Sequence, residues 1–229
     1  MRLRGAIAGV TGASSGIGQA VARAMAAEGA AVVAWARRFP ARALDGAPAG
    51  GRVHEVALDV TDEAAVAARF AELPHIDLLV CAAGVGTFAP FASTDVRDLR
   101  AMLEAHVVGT FLPAREALRR MKARRAGHIV SVSSVAAQRA FADCSGYTAA
   151  KAGQLGLTRV LAEEARPYDV RVTALLPGAT DTPIWDDRPG FDRTKMMRPE
   201  QVAAVVVDLV CRPGVAIEEV VVMPPGGAL

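Results

Sequence analysis

Three side chains near the middle of the chain have types and spacings that could move a proton. Tyr147 and Lys151 are four residues apart, in a stretch whose apolar residues recur at helical intervals up to Ala165. Both side chains should therefore project from one face of a helix. A free phenol has a pKa near ~10, and a neighbouring ammonium lowers that pKa. The pair could act as a general acid or base near neutral pH.

The third side chain is Ser134, which precedes Tyr147 by thirteen residues. The run from His128 to Ser134 is apolar and β-branched before it ends in hydroxyls, which predicts a buried strand with Ser134 at its carboxyl end. Taken alone, Tyr147 and Lys151 are better explained as a surface pair in which the ring leans on the lysine stem. Evidence from the rest of the sequence is needed to distinguish a proton-transfer site from an ordinary helix surface.

A glycine-rich turn lies between the first predicted strand and the first predicted helix. Its residues with a predicted role in binding are Gly12, Ser14, Ser15, Gly16, Ile17 and Gly18. Strand, glycine turn and helix, in this order, is the context in which a glycine pattern predicts a dinucleotide site. The glycines permit a tight turn, close approach of a pyrophosphate to backbone amides, and close packing of the helix on the strand. A glycine-rich loop without a ligand is the alternative interpretation.

The residues after the second predicted strand indicate which dinucleotide would bind. That strand is Ala31–Ala36, and Arg37 and Arg38 follow it. An acidic residue near this position would hold the ribose 2′-hydroxyl of NAD, but Ala36 occupies it. An arginine can instead form two charge-assisted hydrogen bonds with a 2′-phosphate. The sequence therefore favours NADP over NAD, through Arg37 more than through Arg38, which could be a solvated strand-end arginine.

Strands alternate with helices along the chain, which predicts one α/β domain over residues 1–229. The expected fold is a single Rossmann-type, doubly wound parallel sheet of about seven strands with helices on both faces. In such sheets ligands bind beyond the carboxyl ends of the strands. Besides the glycine turn and the arginines, the residues expected to contact the cofactor at these strand ends are Asp59, Val60, Ala82, Ala83, Gly84, Pro177 and Gly178.

Four local predictions accompany this fold. Thr61 is the predicted N-cap of the second helix. Pro113 lies inside a long helical pattern, so a kink or a local break is expected near residues 109–112. Residues 39–52 are rich in Pro, Gly and Ala, which predicts a turn where a helix would normally occur. Residues 179–198 are polar and contain proline, which predicts a mobile segment that covers a ligand.

The composition limits the partners. The net charge of +2 does not indicate a polyanion such as nucleic acid, and no apolar run approaches the ~18 residues needed to span a bilayer. Cys81, Cys144 and Cys211 are widely spaced and form no metal-ligand pattern. The amino terminus lacks a cleavable signal pattern. We therefore expect a cytoplasmic protein with a small-molecule substrate, no metal, and neither a nucleic-acid nor a membrane partner.

The chain resembles the short-chain dehydrogenase/reductase family over nearly its whole length. The resemblance is carried by residues 11–18, by Ser134 with Tyr147-x-x-x-Lys151, and by Pro177-Gly178 with Thr182. It implies that Tyr147 protonates a carbonyl oxygen in reduction, or is the base in the reverse direction. It also implies that Lys151 lowers the Tyr147 pKa and binds nicotinamide ribose, and that Ser134 orients the carbonyl. By the same resemblance Tyr147, Thr180 and Thr182 are expected to contact the cofactor, and the chain is expected to form homodimers or homotetramers.

Two positions depart from the pattern of that family. Cys81 stands where the family usually has an asparagine that ties neighbouring strands together, so local rigidity could be lower here. His106 stands where the family usually has the asparagine that holds a proton-relay water. Histidine could keep the relay with a sharper pH dependence, could break it, or could be a packed helix residue without a role.

The substrate pocket is expected to be apolar or mixed. Its predicted lining residues are Thr87, Phe88, Phe141, Cys144 and Trp185, with Phe91 as either a lining or a core residue. The leading hypothesis is an NADP-dependent reductase of a ketone or aldehyde. The alternatives are an NAD-linked alcohol dehydrogenase of the same fold and a catalytically impaired, cofactor-binding regulatory protein.

Overall fold

Seven short, mainly aliphatic runs form one parallel sheet in the computed structural model, which describes residues 1–39, 48–186 and 191–227. The strands are β1 (Ile7–Thr11), β2 (Ala31–Ala36), β3 (Val53–Ala57), β4 (Leu78–Cys81), β5 (Gly127–Val132), β6 (Val170–Pro177) and β7 (Glu219–Val222). Their spatial order is β3-β2-β1-β4-β5-β6-β7. The order reverses between β1 and β4, and the loops that follow neighbouring strands at such a point leave a crevice between them.

Helices cover both faces of this sheet. They are α1 (Gly16–Ala27), α2 (Glu63–Ala71), α3 (Val96–Leu103), α4 (Gly109–Arg124), α5 (Ser145–Ala165) and α6 (Pro199–Val210). Helices α1 and α6 pack on the face to which Val32 points, whereas α2 and α4 pack on the face to which Val33 points. Successive strand residues face opposite sides, so a sheet covered on both sides needs apolar residues at every position. The predicted doubly wound fold is confirmed.

The N-cap of α2 differs from the predicted one. The Asp62 carboxylate accepts a hydrogen bond of 2.9 Å from the amide of Ala65 and so caps the helix. The Thr61 hydroxyl instead donates to Asp59 at 2.7 Å. A carboxylate also interacts favourably with the positive end of the helix dipole. Asp62 rather than Thr61 is therefore the cap.

The irregularity in the long helical pattern lies one turn earlier than the predicted kink. Residues Glu104–Val108 form a π-helical turn between α3 and α4, closed by a bond from the Gly109 amide to the Glu104 carbonyl. Pro113 follows inside α4. A proline ring crowds the carbonyl four residues before it, and widening the preceding turn relieves that crowding. This turn carries His106.

Two predicted segments fall partly outside the described residues. Residues 40–47 of the predicted turn at 39–52 lie outside them, as do residues 187–190 of the predicted covering segment. The rest of that segment contains short 3₁₀ turns at Pro183–Trp185 and Arg193–Lys195. Within the ranges that the structure describes, no helix is both long and apolar enough to cross a membrane.

Candidate active site

The loops after β1 and β4 touch at the carboxyl edge of the sheet. A Cβ atom on Gly12 would lie 2.6 Å from the Ala82 carbonyl oxygen, so only glycine permits this approach. The buried Thr11 hydroxyl accepts hydrogen bonds from the amides of Ala82 and Ala83, at 3.2 and 3.3 Å. Thr11 therefore ties the two loops together, beside Cys81, where the family usually has an asparagine. This role of Thr11 was not predicted from the sequence.

The glycine turn forms a cradle that fits a dinucleotide phosphate. Gly12 and Gly16 have φ angles of +67° and +54°, which favour glycine. A Cβ atom on Gly18 would lie 2.5 Å from the Gly12 carbonyl oxygen, so α1 packs directly on the turn. No side chain caps the amino terminus of α1 at Ser15. The first amides of the helix are available to an anion.

The two arginines after β2 take different positions. The guanidinium of Arg38 donates to the hydroxyls of Ser14 and Ser15, at 3.2 and 3.5 Å. Arg37 lies near Asp59. Hydrogen bonds from Thr61 and the charge of Arg37 hold the pKa of the Asp59 carboxyl below its usual value. The arginine at the glycine turn is thus Arg38, although the sequence favoured Arg37 for contact with a 2′-phosphate.

Tyr147 and Lys151 lie in the first two turns of α5, as the sequence predicted. The Nζ atom of Lys151 is 5.7 Å from the centroid of the Tyr147 ring. Lys151 is buried, and its ammonium donates to the Val132 carbonyl at 2.9 Å and to Gln154 Oε1 at 3.0 Å. Burial lowers the pKa of Lys151 to about 7. Desolvation disfavours the charged form, so the acceptors around the ammonium determine whether it stays charged.

Ser134 follows the end of β5, on the same edge of the sheet. Its Oγ accepts a hydrogen bond of 3.1 Å from the amide of Ala136 and caps the 3₁₀ turn Val135–Ala137, against which α5 packs. A hydroxyl that accepts one bond can still donate its own hydrogen. The hydroxyl of Ser134 is thus held at the strand end with a donor hydrogen left for a carbonyl oxygen.

His106 is buried between the loop after β4 and the ring of Tyr147. Its Nε2 atom is 2.7 Å from the Val85 carbonyl oxygen, and its ring meets that of Tyr147 edge-on at 5.5 Å between centroids. A Cβ atom on Gly84 would lie 2.2 Å from the imidazole Cε1, so glycine is required beside it. A carbonyl only accepts, so the geometry assigns the proton to Nε2 and a lone pair to Nδ1.

The imidazole of His106 is neutral near physiological pH. Burial, with the nearby charge of Lys151, lowers its pKa to about 3. Its Nδ1 atom is buried and has no hydrogen-bond partner among the described residues. A group that titrates near pH 3 does not change charge at neutral pH. This argues against the interpretation in which His106 sharpens the pH dependence of the site.

Some of the predicted pocket residues lie beside Tyr147, whereas others lie on the covering segment or at the surface. Phe88 contacts Tyr147 at 5.4 Å between ring centroids, and the buried Cys144 directly precedes α5. On the covering segment, the ring of Trp185 packs against that of Phe191 at 4.9 Å between centroids, with the two ring planes tilted by 55°. Thr87 is exposed and Phe141 is half-buried. Phe91 is 85% exposed, so core packing is the wrong explanation for it.

Ile184 is a pocket neighbour that the sequence did not indicate. A Cβ atom on Gly86 would lie 2.7 Å from Ile184 Cδ1 and 2.9 Å from Phe88 Cε2, so the two side chains meet over this glycine. Ile184 belongs to the covering segment, whereas Phe88 belongs to the loop after β4. The spacing of residues along the chain cannot indicate that two separate loops meet.

The loop after β6 continues into the covering segment. The amide of Gly178 donates to the Val222 carbonyl at 2.7 Å, and the Thr180 hydroxyl donates to Gly178 at 3.0 Å. The Thr182 methyl would lie 3.0 Å from a Cβ atom on Gly16, which brings this segment over the glycine turn. In residues 1–39, 48–186 and 191–227, no group of three or more His, Cys, Asp or Glu side chains could hold a metal ion.

Comparison with known proteins agrees with this geometry. Residues 6–190 match the model of the short chain dehydrogenase family. A cis-4-hydroxycyclohexanecarboxylate dehydrogenase from Sinomonas cyclohexanicum is 41% identical over 221 residues, which cover 89% of this chain and 88% of that protein. A 2-dehydro-3-deoxy-L-rhamnonate dehydrogenase (NAD(+)) from a Sphingomonas species is 37% identical over 193 residues, which cover 82% of this chain and 77% of that protein.

A solved structure is similar over the same length. The alcohol dehydrogenase of the archaeon Thermococcus sibiricus, complexed with 5-hydroxy-NADP, has a TM-score of 0.84 at 26% identity. The similarity covers 96% of this chain and 97% of that one. The chain therefore belongs to the short-chain dehydrogenase family and is an oxidoreductase that uses a nicotinamide cofactor.

Proposed function

We propose that the protein interconverts a ketone or aldehyde with its alcohol, with NADPH as the reductant and Tyr147 as the general acid. The observation that carries the proposal is the buried ammonium of Lys151, 5.7 Å from the phenol ring of Tyr147 at the carboxyl edge of the sheet. A positive charge in a poorly hydrated site favours the phenolate and lowers the phenol pKa. The phenol can then release its proton to a carbonyl oxygen and recover it in the reverse direction.

The chain supplies orientation, charge and proton transfer to this reaction. When bound, the nicotinamide supplies or accepts the hydride. Ser134 donates a hydrogen bond to the reacting oxygen and so stabilises the charge that develops there. Lys151 holds the nicotinamide ribose. The residues that would hold the rest of the cofactor are Gly12, Ser14, Ser15, Gly16, Ile17, Gly18, Arg37, Arg38, Asp59, Val60, Ala82, Ala83, Gly84, Pro177, Gly178, Thr180 and Thr182.

The preference for NADP is supported by Arg38. Its guanidinium already lies against the hydroxyls of Ser14 and Ser15, and Ala36 stands where an acidic side chain would repel a 2′-phosphate. A 2′-phosphate that bridges the guanidinium and the two hydroxyls would receive charge-assisted hydrogen bonds. The NAD-dependent alternative is favoured by the 37% identical relative, whose name specifies NAD(+).

Replacing Arg38 with alanine is expected to weaken NADPH binding by ~1–3 kcal/mol, the range for hydrogen bonds to charged groups. NADH, which lacks the 2′-phosphate, should bind nearly as before. Fluorescence titration of both cofactors measures the two effects, with Arg37→Ala as the matched control. The control should have the smaller effect, because Arg37 lies near Asp59. Equal weakening of NADPH and NADH in Arg38→Ala would refute the NADP assignment.

The remaining parts of the proposal concern the pocket and the assembly. We expect the chain to act as one dinucleotide-binding domain, in which residues 179–198 cover the substrate. Arg193 supports this because its guanidinium donates hydrogen bonds to Asp181 and Asp186, which hold separate parts of the segment together.

Exposed apolar side chains on α4 and α5, such as Phe111 and Val160, support a homodimer or homotetramer.

A further inference from the structure

A chain of buried polar side chains connects α5 to α4 behind the Tyr147–Lys151 pair. Lys151 Nζ donates to Gln154 Oε1 at 3.0 Å, and Gln154 Nε2 donates to Thr110 Oγ1 at 2.8 Å. Gln154 and Thr110 are both buried. An ammonium has donors only, so the amide must turn its oxygen towards Lys151 and its nitrogen towards Thr110. The orientation of Gln154 is therefore fixed by its partners.

Lys151 needs these acceptors because its charge is buried without a carboxylate. Burial is the one cause that shifts its pKa, so no acidic side chain in the described part of the chain compensates the lost hydration. Its ammonium donates instead to the Val132 carbonyl on β5 and to Gln154 Oε1 on α5. A hydrogen bond to the charged form of a group favours that form. The amide oxygen thus replaces part of the missing hydration.

The same contacts determine where the ammonium points. The titratable groups that face it are Tyr147, on its own helix, and the neutral His106, on the π-helical turn before α4. Thr110 follows His106 by four residues, so Gln154 connects Lys151 to the first turn of α4, directly after the π-helical turn that carries His106. Two of the three N–H bonds of the ammonium point to the Val132 carbonyl and to Gln154 Oε1. Because the nitrogen is tetrahedral, these two hydrogen bonds also determine the direction of the third N–H bond.

We propose that Gln154 is a positioning residue, whose amide oxygen holds the Lys151 ammonium in one orientation and stabilises its charge beside Tyr147. The consequence for catalysis rests on the proposed function of Tyr147 and Lys151. The contact between Gln154 and Lys151 does not depend on that function. Gln154 is fully buried and acts through Lys151.

The protonation of Lys151 can be measured directly, because Lys122 and Lys195 are the only other lysines in the sequence. The cofactor-free protein is labelled with ¹³C-lysine, and the Lys151 Cε chemical shift is followed against pH by NMR. Substitution of Lys122 or Lys195 by arginine assigns the signals. The variant Gln154→Met keeps an unbranched side chain but removes the acceptor. In this variant the pH midpoint of the Lys151 titration should fall by about one pH unit. In Gln154→Glu the midpoint should rise, because a carboxylate favours the ammonium.

The matched control is Thr158→Val, one helical turn further along α5. The buried Thr158 hydroxyl donates to the backbone carbonyl of Gln154 at 2.8 Å and is not part of the contacts of Lys151. This variant loses a buried hydrogen bond and should leave the Lys151 midpoint unchanged. The proposal would be overturned if the Lys151 midpoint moved in the same direction in Gln154→Met and Gln154→Glu. It would also be overturned if neither variant moved the midpoint by more than Thr158→Val does.

Two features keep the test decisive. If Gln154→Met does not fold, Gln154→Glu decides alone, since an unchanged or lowered midpoint in that variant contradicts the proposal. The titration uses neither cofactor nor substrate. A wild-type protein that fails to consume NADPH would defeat the proposed function and leave the result on Gln154 intact.

Discussion

Replacing Tyr147 with phenylalanine is expected to abolish turnover and leave NADPH binding nearly unchanged. The phenylalanine ring can keep the contacts with Phe88 and His106, at 5.4 and 5.5 Å between centroids. Only the proton donor is lost, and a positioned general acid typically contributes ~10²–10⁴-fold to the rate. Consumption of NADPH with a panel of carbonyl compounds measures turnover, and fluorescence titration measures binding.

The matched control is Tyr168→Phe, because Tyr168 is the other tyrosine in the sequence. Its ring lies 4.0 Å from the Lys122 ammonium, close before β6 and away from the carboxyl edge. This control should retain full activity. Unchanged turnover in Tyr147→Phe would exclude Tyr147 as the acid. A wild-type protein that binds NADPH without consuming it would instead support the regulatory alternative.

The fold and the location of the site could be predicted because they follow from short-range patterns. A strand that is buried on both faces is an uninterrupted apolar run, as in Ala31–Ala36, and its end is marked by the first charged residue, Arg37. The carboxyl ends of parallel strands share one edge, so residues as distant as Gly12 and Ser134 are brought together by topology alone. The pair Tyr147 and Lys151 needs only helical spacing.

The contacts that tune the site depend on side-chain directions, and spacing does not determine these. Arg37 and Arg38 are adjacent, and which of them reaches the glycine turn depends on the twist of the chain as it leaves β2. Gln154 is one of several polar residues in α5, and nothing in its spacing distinguishes it from the others. Its importance arises from Thr110, which is distant in sequence and contacts it only after α4 packs on α5. Such contacts could not be predicted from one sequence.

The protein is expected to lose stability steeply below about pH 6. His106 and His128 are both buried, and burial lowers the pKa of each to about 3. In the unfolded chain a histidine titrates near ~6.5, so the unfolded state binds more protons between these values and stability falls with pH. Between pH 7 and pH 4 each histidine lowers the free energy of unfolding by up to about 3 kcal/mol, at 1.36 kcal/mol per pKa unit.

Protonation of His106 and of His128 destabilises the folded state for the same reason. Thr173 donates its hydroxyl hydrogen to the Ile217 carbonyl at 2.6 Å, so it must accept from His128 Nε2, 2.8 Å away. As with His106, a lone pair remains on a buried Nδ1 that has no partner within the described ranges. Protonation there would bury a charge and a donor without an acceptor. Two such groups could remove much of the ~5–15 kcal/mol by which domains are typically stable.

Denaturant unfolding between pH 4 and pH 7 measures this effect. His106→Asn and His128→Leu should each flatten the acid limb of the stability curve, whatever they do to stability at pH 7. Each removes a group that binds a proton in the unfolded state but not in the folded state over this pH range. His75→Gln is the control, because the His75 side chain is partly exposed and lies 3.2 Å from Asp77 rather than buried with an unpaired nitrogen. That substitution should not flatten the acid limb. If all three variants keep the wild-type slope, other groups dominate acid unfolding, and the two buried imidazoles do not limit the stability of the fold.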